Sequence, residues 1–210
     1  MTSHPPESDL IYDWNRTGGG ASPARGVVEL DDETLRDGLQ SPSVKSPTID
    51  AKLKILHLME ALGIDSVDIG LPGAGPHVVS TVARLAREIV DAKMKIRPNC
   101  AARTVAADIL PIIEVSQRVG IPIEVACFIG SSPIRQYAED WDLDRMLRMT
   151  EDAVSLAVKE GLPVMYVTED TTRAHPDHIR QMYTTAIRAA PGASASATPS
   201  ATRRRTASAT

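Results

Sequence analysis

Short aliphatic runs alternate with longer helical patterns through the middle of the chain, and this alternation constrains the fold more than any other feature. The pattern predicts strands at residues 27–30, 66–69, 94–96, 123–128 and 163–167, and helices at 49–62, 78–90, 105–119, 143–159 and 176–187. Consecutive βα units predict a parallel sheet with crossover helices, either doubly wound or closed as a (β/α)₈ barrel. The first βα turn lacks a G-x-G-x-x-G segment, which favours the barrel.

The chain divides by composition into three zones. Residues 1–25 are rich in Pro, Ser, Gly and charge, which predicts a disordered leader. Residues 26–190 carry the βα pattern and are expected to form the N-terminal part of a barrel domain. Residues 191–210 contain only Pro, Gly, Ala, Ser, Thr and Arg, a low-complexity mixture that cannot bury a core.

Composition narrows the classes of function. The net charge of -4 argues against a nucleic-acid partner, which selects for a basic surface. No apolar run reaches the roughly 20 residues of a membrane span, and the first residues lack a secretory signal. Cys100 and Cys127 alone do not suggest a disulfide scaffold. We therefore expect a cytoplasmic protein with no membrane partner.

Polar residues follow or end the predicted strands. In a barrel, functional groups lie at the carboxyl ends of the strands, so these residues predict a site there. The alternative is that strand ends are polar because loops are solvated. The residues are Arg36, Asp37, Asp68, Arg97, Asn99, Ser131, Ser132, Glu169 and Asp170.

The segment D-E-T-L-R-D-G-L-Q-S-P at residues 32–42 is the most specific motif. It resembles the D-x-T-L-R-D-G-x-Q-x-P signature of the family that includes 2-isopropylmalate synthase, homocitrate synthase, citramalate synthase and 3-hydroxy-3-methylglutaryl-CoA (HMG-CoA) lyase. The resemblance covers about residues 26–190. It implies a TIM barrel of which about the first five βα units are present. It also implies a divalent metal, acetyl-CoA as co-substrate, and an acyltransferase that condenses acetyl-CoA with a 2-oxo acid, as in leucine biosynthesis.

The motif assigns three roles through this resemblance. Asp37 matches the carboxylate that ligates the metal, which would be Mg²⁺, Mn²⁺ or Zn²⁺. Arg36 matches the catalytic arginine over the reacting carbonyl oxygen, where its charge can stabilise an enolate or alkoxide. Gln40 matches a residue beside the metal site and is expected to contact substrate. A surface ion pair is the alternative for Arg36 and Asp37.

Other segments match the family more loosely. Asp68-Ile69-Gly70-Leu71-Pro72 resembles E-x-G-x-P, with Asp in place of Glu, and residues 103–109 resemble A-R-x-x-x-x-D-I. Glu169 begins a stretch that resembles E-D-x-x-R, where the family's Glu helps to hold substrate. We therefore expect Asp68 and Glu169 to bind substrate. A helix N-terminal acid is the alternative for Glu169.

Two departures leave the substrate open. Arg135 stands where isopropylmalate synthases have His, and it resembles a homocitrate synthase arginine that meets the second carboxylate of a dicarboxylic 2-oxo acid. Val167 stands where isopropylmalate synthases have Ser. Gly38-Leu39-Gln40 is typical of the lyases, so C–C cleavage is the alternative chemistry, whereas Thr34-Leu35-Arg36 and the E-D-x-x-R stretch favour the synthases. No residue is identified as the catalytic base.

The second half of the family's metal site is missing from the sequence. The family completes it with H-x-H on the seventh strand, and this chain has no such motif. Synonymous codons for Ala197–Thr210 can be chosen so that the frame one base earlier encodes CDTVGHATPDGVRD, which resembles the family's sixth strand. We therefore expect a frameshift near residues 189–196, which sequencing the gene tests. The truncated chain is expected to be inactive, or a non-catalytic remnant, while the full-length parent is expected to be a homodimer.

Overall fold

The structure is a computed structural model that describes residues 29–191 and, for the backbone alone, residues 195–199. The strands are β1 (Asp31–Asp32), β2 (Ser66–Asp68), β3 (Arg97–Arg103), β4 (Glu124–Gly130), β5 (Val164–Glu169) and β6 (Ala195–Pro199). The helices are α1 (Ile49–Leu62), α2 (Pro76–Asp91), α3 (Ala106–Val119), α4 (Pro133–Glu139), α5 (Leu143–Lys159) and α6 (Pro176–Ala189).

The described strands form one parallel sheet in the order β1-β2-β3-β4-β5-β6. A doubly wound sheet reverses its strand order at a switch point, and this sheet has no reversal. Residues from β1 to β5 line one cavity together, so the sheet curls around it. The arrangement is an open half-barrel, and the prediction of a TIM-barrel fold with its first βα units is confirmed.

Helices α1 and α5 show why the sequence pattern was informative. Thr48 accepts a hydrogen bond from the backbone N–H of Ala51 at the start of α1, and Gly63 ends the helix at a φ of 78°. Asp142 accepts one from Arg145 at the start of α5. The core between helices and sheet is mainly aliphatic. Its largest buried side chains include Leu56, Ile69, Leu85, Ile109, Ile112, Met146, Tyr166 and Met182.

The third strand differs from the prediction. It begins at Arg97 rather than Met94, because the carboxylate of Glu60 accepts hydrogen bonds from the backbone of Lys95 and Ile96. Arg97 therefore lies at the amino end of β3, where it pairs with Glu29 at 2.8 Å. The expectation that Arg97 belongs to the polar ring at the carboxyl ends is wrong.

The chain ends are only partly described. Val27 and Val28 of the predicted first strand lie outside the described residues, and the described strand begins at Asp31, after an exposed Leu30. The predicted disordered leader also lies outside them. The predicted low-complexity tail does so too, except for residue 191 and the backbone of residues 195–199, which pairs with β5. None of the helices that the structure describes is long and apolar enough to cross a membrane.

Candidate active site

The signature motif forms a tight turn directly after β1. The backbone N–H of Thr34 donates to Asp32 Oδ1 at 2.8 Å, and the N–H of Gly38 donates to the carbonyl of Glu33. Leu35 is 3% exposed and packs in the core. These contacts fix the backbone on both sides of Arg36, so the motif places that arginine at the end of β1.

Arg36 is held by three carboxylates. Its Nε donates to Asp68 Oδ2 at 2.7 Å, its Nη1 to Asp37 Oδ1 at 3.1 Å and its Nη2 to Glu33 Oε2 at 2.6 Å. Burial lowers the pKa of Arg36, but the negative charges of Asp68, Glu33 and Asp37 outweigh burial and raise it overall. The guanidinium is therefore charged and fixed in orientation.

Asp68 is the buried partner in this cluster. The residue is 1% exposed, and its Oδ1 accepts a hydrogen bond from the backbone N–H of Gly70 at 3.0 Å. Burial raises the pKa of Asp68 to about 6, and the neighbouring Arg36 opposes that rise. Burial also raises the pKa of Glu33. In this structure Asp68 acts on Arg36, since it holds the guanidinium through its Nε.

A cavity of about 320 Å³ opens beside Arg36. Polar side chains from the strands and from the segments that follow them line this cavity, together with an apolar surface from β3, β4 and β5. Its lining residues are Asp31, Glu33, Arg36, Asp37, Asp68, Asn99, Ala101, Ala126, Phe128, Met165, Val167, Glu169 and Asp170.

Asp31 links three strands beneath this cavity. Its Oδ1 accepts hydrogen bonds from Ser66 Oγ at 2.6 Å and from Asn99 Nδ2 at 2.7 Å. Asp31 and Glu33 were not predicted as site residues from the sequence, because the signature motif does not specify their positions. The period-2 spacing of Asp31 and Glu33 is the signal that could have placed both on the same side of the chain.

The structure brings together four of the six site residues predicted from the sequence. Arg36, Asp37, Asp68 and Glu169 line the cavity, whereas Gln40 and Arg135 are not among its lining residues. Gln40 is exposed at the end of the turn that follows Arg36. Arg135 is an exposed residue of α4.

Arg135 makes its contacts on its own helix and just beyond it. Its Nη2 lies 3.3 Å from Glu139 Oε1, and its guanidinium carbon lies 5.9 Å from the centre of the Trp141 ring. Its stem passes over Gly130 at the end of β4, where a Cβ would collide with it. Arg135 therefore lies near the carboxyl end of β4, but its guanidinium contacts Glu139 and Trp141 and is not part of the cavity lining.

Comparison with known proteins identifies the family. The model of the HMGL-like family matches residues 27–202, well over half of the chain. The chain belongs to the HMGL-like family. The resemblance read from the signature motif is confirmed.

Curated relatives of this HMGL-like chain are synthases. A probable 2-isopropylmalate synthase of Methanopyrus kandleri is 30% identical over 167 residues, which cover 77% of this chain and 31% of the relative. Homocitrate synthase AksA of the same organism is 31% identical over 156 residues, 74% of this chain and 37% of the relative. A 2-isopropylmalate synthase of Staphylococcus epidermidis is 30% identical over 171 residues, again 77% and 31%. The chain thus spans about a third of the length of these relatives.

A solved structure agrees with the fold. The crystal structure of the Bacillus subtilis HMG-CoA lyase matches with a TM-score of 0.59 and 15% sequence identity. The match covers 81% of this chain and 57% of the lyase. At this identity the likeness shows the fold alone, and it agrees with a half-barrel.

The residues described here do not by themselves fit the divalent metal that the resemblance implies. Within residues 29–191, no three His, Cys, Asp or Glu side chains come together as a possible metal site. Asp37, the expected ligand, is exposed and pairs with Arg36. One carboxylate cannot supply the several oxygen ligands of Mg²⁺ or Mn²⁺.

A second ion pair supports the loop that follows Asp68. Asp108 is 1% exposed and accepts hydrogen bonds from Arg103 Nε and Nη2, both at 2.8 Å. Burial raises the pKa of Asp108, but the hydrogen bonds from Arg103 outweigh burial and lower it overall. A Cβ added at Gly73 would lie 2.5 Å from Asp108 Oδ1, so the loop packs directly against this carboxylate.

Proposed function

We propose that the domain to which these strands belong is an acyltransferase that condenses acetyl-CoA with a 2-oxo acid, and that this chain supplies the Arg36 side of its site. Membership of the HMGL-like family and the names of the synthase relatives support this reaction class. The expected role in amino-acid biosynthesis, leucine formation among the possibilities, is part of the proposal, as are a cytoplasmic location and a homodimer.

The geometry of Arg36 carries the proposal. A guanidinium has five N–H donors, and Glu33, Asp37 and Asp68 accept three of them. One N–H on each terminal nitrogen is left over by these contacts, and Arg36 lines the cavity. N–H donors on a charged guanidinium suit a carboxylate or a developing oxyanion.

The proposed reaction is a condensation followed by hydrolysis. A base removes a proton from the methyl group of acetyl-CoA, and the resulting enolate forms a C–C bond to the keto carbon of the 2-oxo acid. The keto oxygen becomes an alkoxide, which Arg36 stabilises until it takes up a proton. Water then cleaves the thioester, which releases CoA and leaves a hydroxy acid with one additional carboxylate.

A thiol-release assay tests the reaction class. Acetyl-CoA is supplied with a panel of 2-oxo acids and Mg²⁺, and free CoA is measured. The proposal expects any CoA release to depend on the 2-oxo acid, at a low rate because the described residues offer a single expected metal ligand, Asp37. CoA release that is the same with and without a 2-oxo acid would contradict it.

The lyase reaction is the second candidate, and Gly38-Leu39-Gln40 favours it. A lyase would cleave 3-hydroxy-3-methylglutaryl-CoA to acetoacetate and acetyl-CoA. Acetoacetate released from that substrate, with no thiol release from acetyl-CoA and any 2-oxo acid, would select the lyase over the synthase.

A non-catalytic remnant is the candidate of a different class. The lack of a three-ligand cluster within residues 29–191 favours it. Titration with Mn²⁺ and amide hydrogen exchange on the same preparation separate the two. Tight Mn²⁺ binding with protected strands would speak against a remnant, whereas weak Mn²⁺ binding with little protection would support it.

A further inference from the structure

The cavity has an apolar wall built by three neighbouring strands. Ala101, Ala126 and Met165 lie in register across β3, β4 and β5, and Phe128 lies opposite Val167 on the next row. All five line the cavity. Residues two apart on a strand share one face, so these side chains form a continuous apolar surface.

The rest of the lining is strongly acidic. Arg36 is the sole cation among the lining residues that the structure describes, and it already meets three carboxylates. Glu169 adds a further carboxylate at the end of β5, and Asp170, which follows it, is paired with Arg173 Nη1 at 2.8 Å. A second negative charge on a bound substrate would meet either the apolar wall or these acids, and both are unfavourable.

Arg135 does not add a positive charge to the lining of the cavity. The sequence offers it as the partner of a second substrate carboxylate, but its guanidinium lies beside Glu139 and over Trp141, and it does not line the cavity. The structure therefore shows a place for an apolar substituent and no cation dedicated to a second carboxylate in the described cavity.

We infer that this site takes a 2-oxo acid whose side chain is apolar and uncharged, with Phe128 and Val167 as the specificity-determining residues. The inference rests on the proposed function. Arg36 holds the polar 2-oxo carboxylate end, and the wall formed by β3, β4 and β5 receives the side chain. A branched aliphatic group gains from this burial, because each buried methylene tightens binding by about fourfold.

Calorimetric titration of the full chain in buffer with Mg²⁺ tests the inference. The probes are pyruvate, 3-methyl-2-oxobutanoate and 2-oxopentanedioate. We expect 3-methyl-2-oxobutanoate to bind about tenfold more tightly than pyruvate, and 2-oxopentanedioate to bind more weakly than either. Tighter binding of the dicarboxylic probe would overturn the inference alone. No binding of any probe would overturn the proposed function, and the inference with it.

Variants identify the residues. Val167→Lys places a cation on the wall, so we expect it to lose the preference for 3-methyl-2-oxobutanoate and to bind 2-oxopentanedioate more tightly. Val90→Lys, on the exposed end of α2, is the matched control for added charge and should change neither affinity. Circular dichroism checks that both fold. An unchanged preference in folded Val167→Lys would overturn the inference.

Arg135→Ala tests the alternative, in which Arg135 binds a second carboxylate of the substrate. If Arg135 met a second substrate carboxylate, its removal would weaken binding of 2-oxopentanedioate alone. The inference expects the ratio of the three affinities to stay the same. A selective loss of dicarboxylate binding would overturn it.

Discussion

Asp68 and Arg36 form the pair on which the site depends at the scale of single residues. A carboxylate that is 1% exposed is costly to ionise, and Arg36 offsets part of that cost through a 2.7 Å hydrogen bond. In return, Asp68 fixes the Nε side of the guanidinium. The family's Glu is replaced by a shorter Asp here, and this Asp reaches Arg36 and the Gly70 backbone together.

The raised pKa of Asp68 predicts a pH dependence of stability. Its folded value of about 6 lies above the ordinary 3.8, so the folded chain binds the proton more tightly. The contribution of Asp68 to the free energy of unfolding therefore falls as pH rises from about 4 to about 6 and is constant above about 7, a loss on the order of 3 kcal/mol.

Urea unfolding of the native chain and of Asp68→Asn between pH 3.5 and pH 8 checks this. Titrating groups that do not interact with Asp68 cancel in the difference between the two proteins. We expect the native chain to lose stability relative to Asp68→Asn through that window. A difference that is flat, or that rises with pH, would show that burial does not dominate at Asp68.

At the scale of elements, Asp108 joins the loop after β2 to the corner between β3 and α3. Arg103 binds its carboxylate through two nitrogens, and the Gly73 backbone packs against it. The same loop follows Asp68, the last residue of β2, and includes Gly70. The position of Asp68 therefore depends on a contact several residues away that only glycine permits.

Gly73→Ala should destabilise the chain by about 1–3 kcal/mol, because its Cβ would lie 2.5 Å from Asp108 Oδ1 and the buried ion pair has little room to move. Gly38→Ala is the matched control. Its Cβ would meet nothing closer than 3.7 Å, so we expect a change within about 0.5 kcal/mol. Equal melting temperatures for the two variants would show that the Gly73 backbone does not pack closely against Asp108.

Helix bounds were predictable from the sequence where local signals fix them. Thr48 and Gly63 bracket α1, and α5 lies where its pattern predicts it. The start of β3 was not predictable, because a side chain distant in sequence, Glu60, takes the backbone N–H groups that precede it. Helix α4 was also missed, since seven residues are too few to show a period.

The candidate site was predictable only in part, for a similar reason. The motif identified Arg36 and Asp37, but the direction of the Arg135 side chain depends on Glu139 and Trp141, which no family motif specifies. The apolar wall depends on the register between β3, β4 and β5, and register is a property of the assembled sheet.

At the scale of the whole molecule, the described six-stranded sheet is part of a barrel. A closed barrel of this kind has eight strands, and its first strand pairs on both sides. In the described sheet β1 lies at one edge and pairs with β2 alone. That strand has two residues, whereas β3 and β4 have seven each and are paired on both sides. Stability should therefore be uneven across the sheet.

Amide hydrogen exchange should show this gradient. We expect the slowest exchange in β3, β4 and β5 and much faster exchange around β1, although the turn that holds Arg36 directly follows β1. The expected pattern reports local opening, since edge strands open without global unfolding. Equal protection across all the described strands would indicate that another part of the protein covers the β1 edge.

The most direct test of the account is the binding of 3-methyl-2-oxobutanoate to Arg36→Lys. Lysine keeps the charge but loses the planar fork, so we expect affinity to fall at least about tenfold. Arg84→Lys, which alters an ion pair with Glu88 on the outer helix α2, is the matched control and should bind like the native chain. Equal affinity of Arg36→Lys and the native chain would contradict a site centred on Arg36.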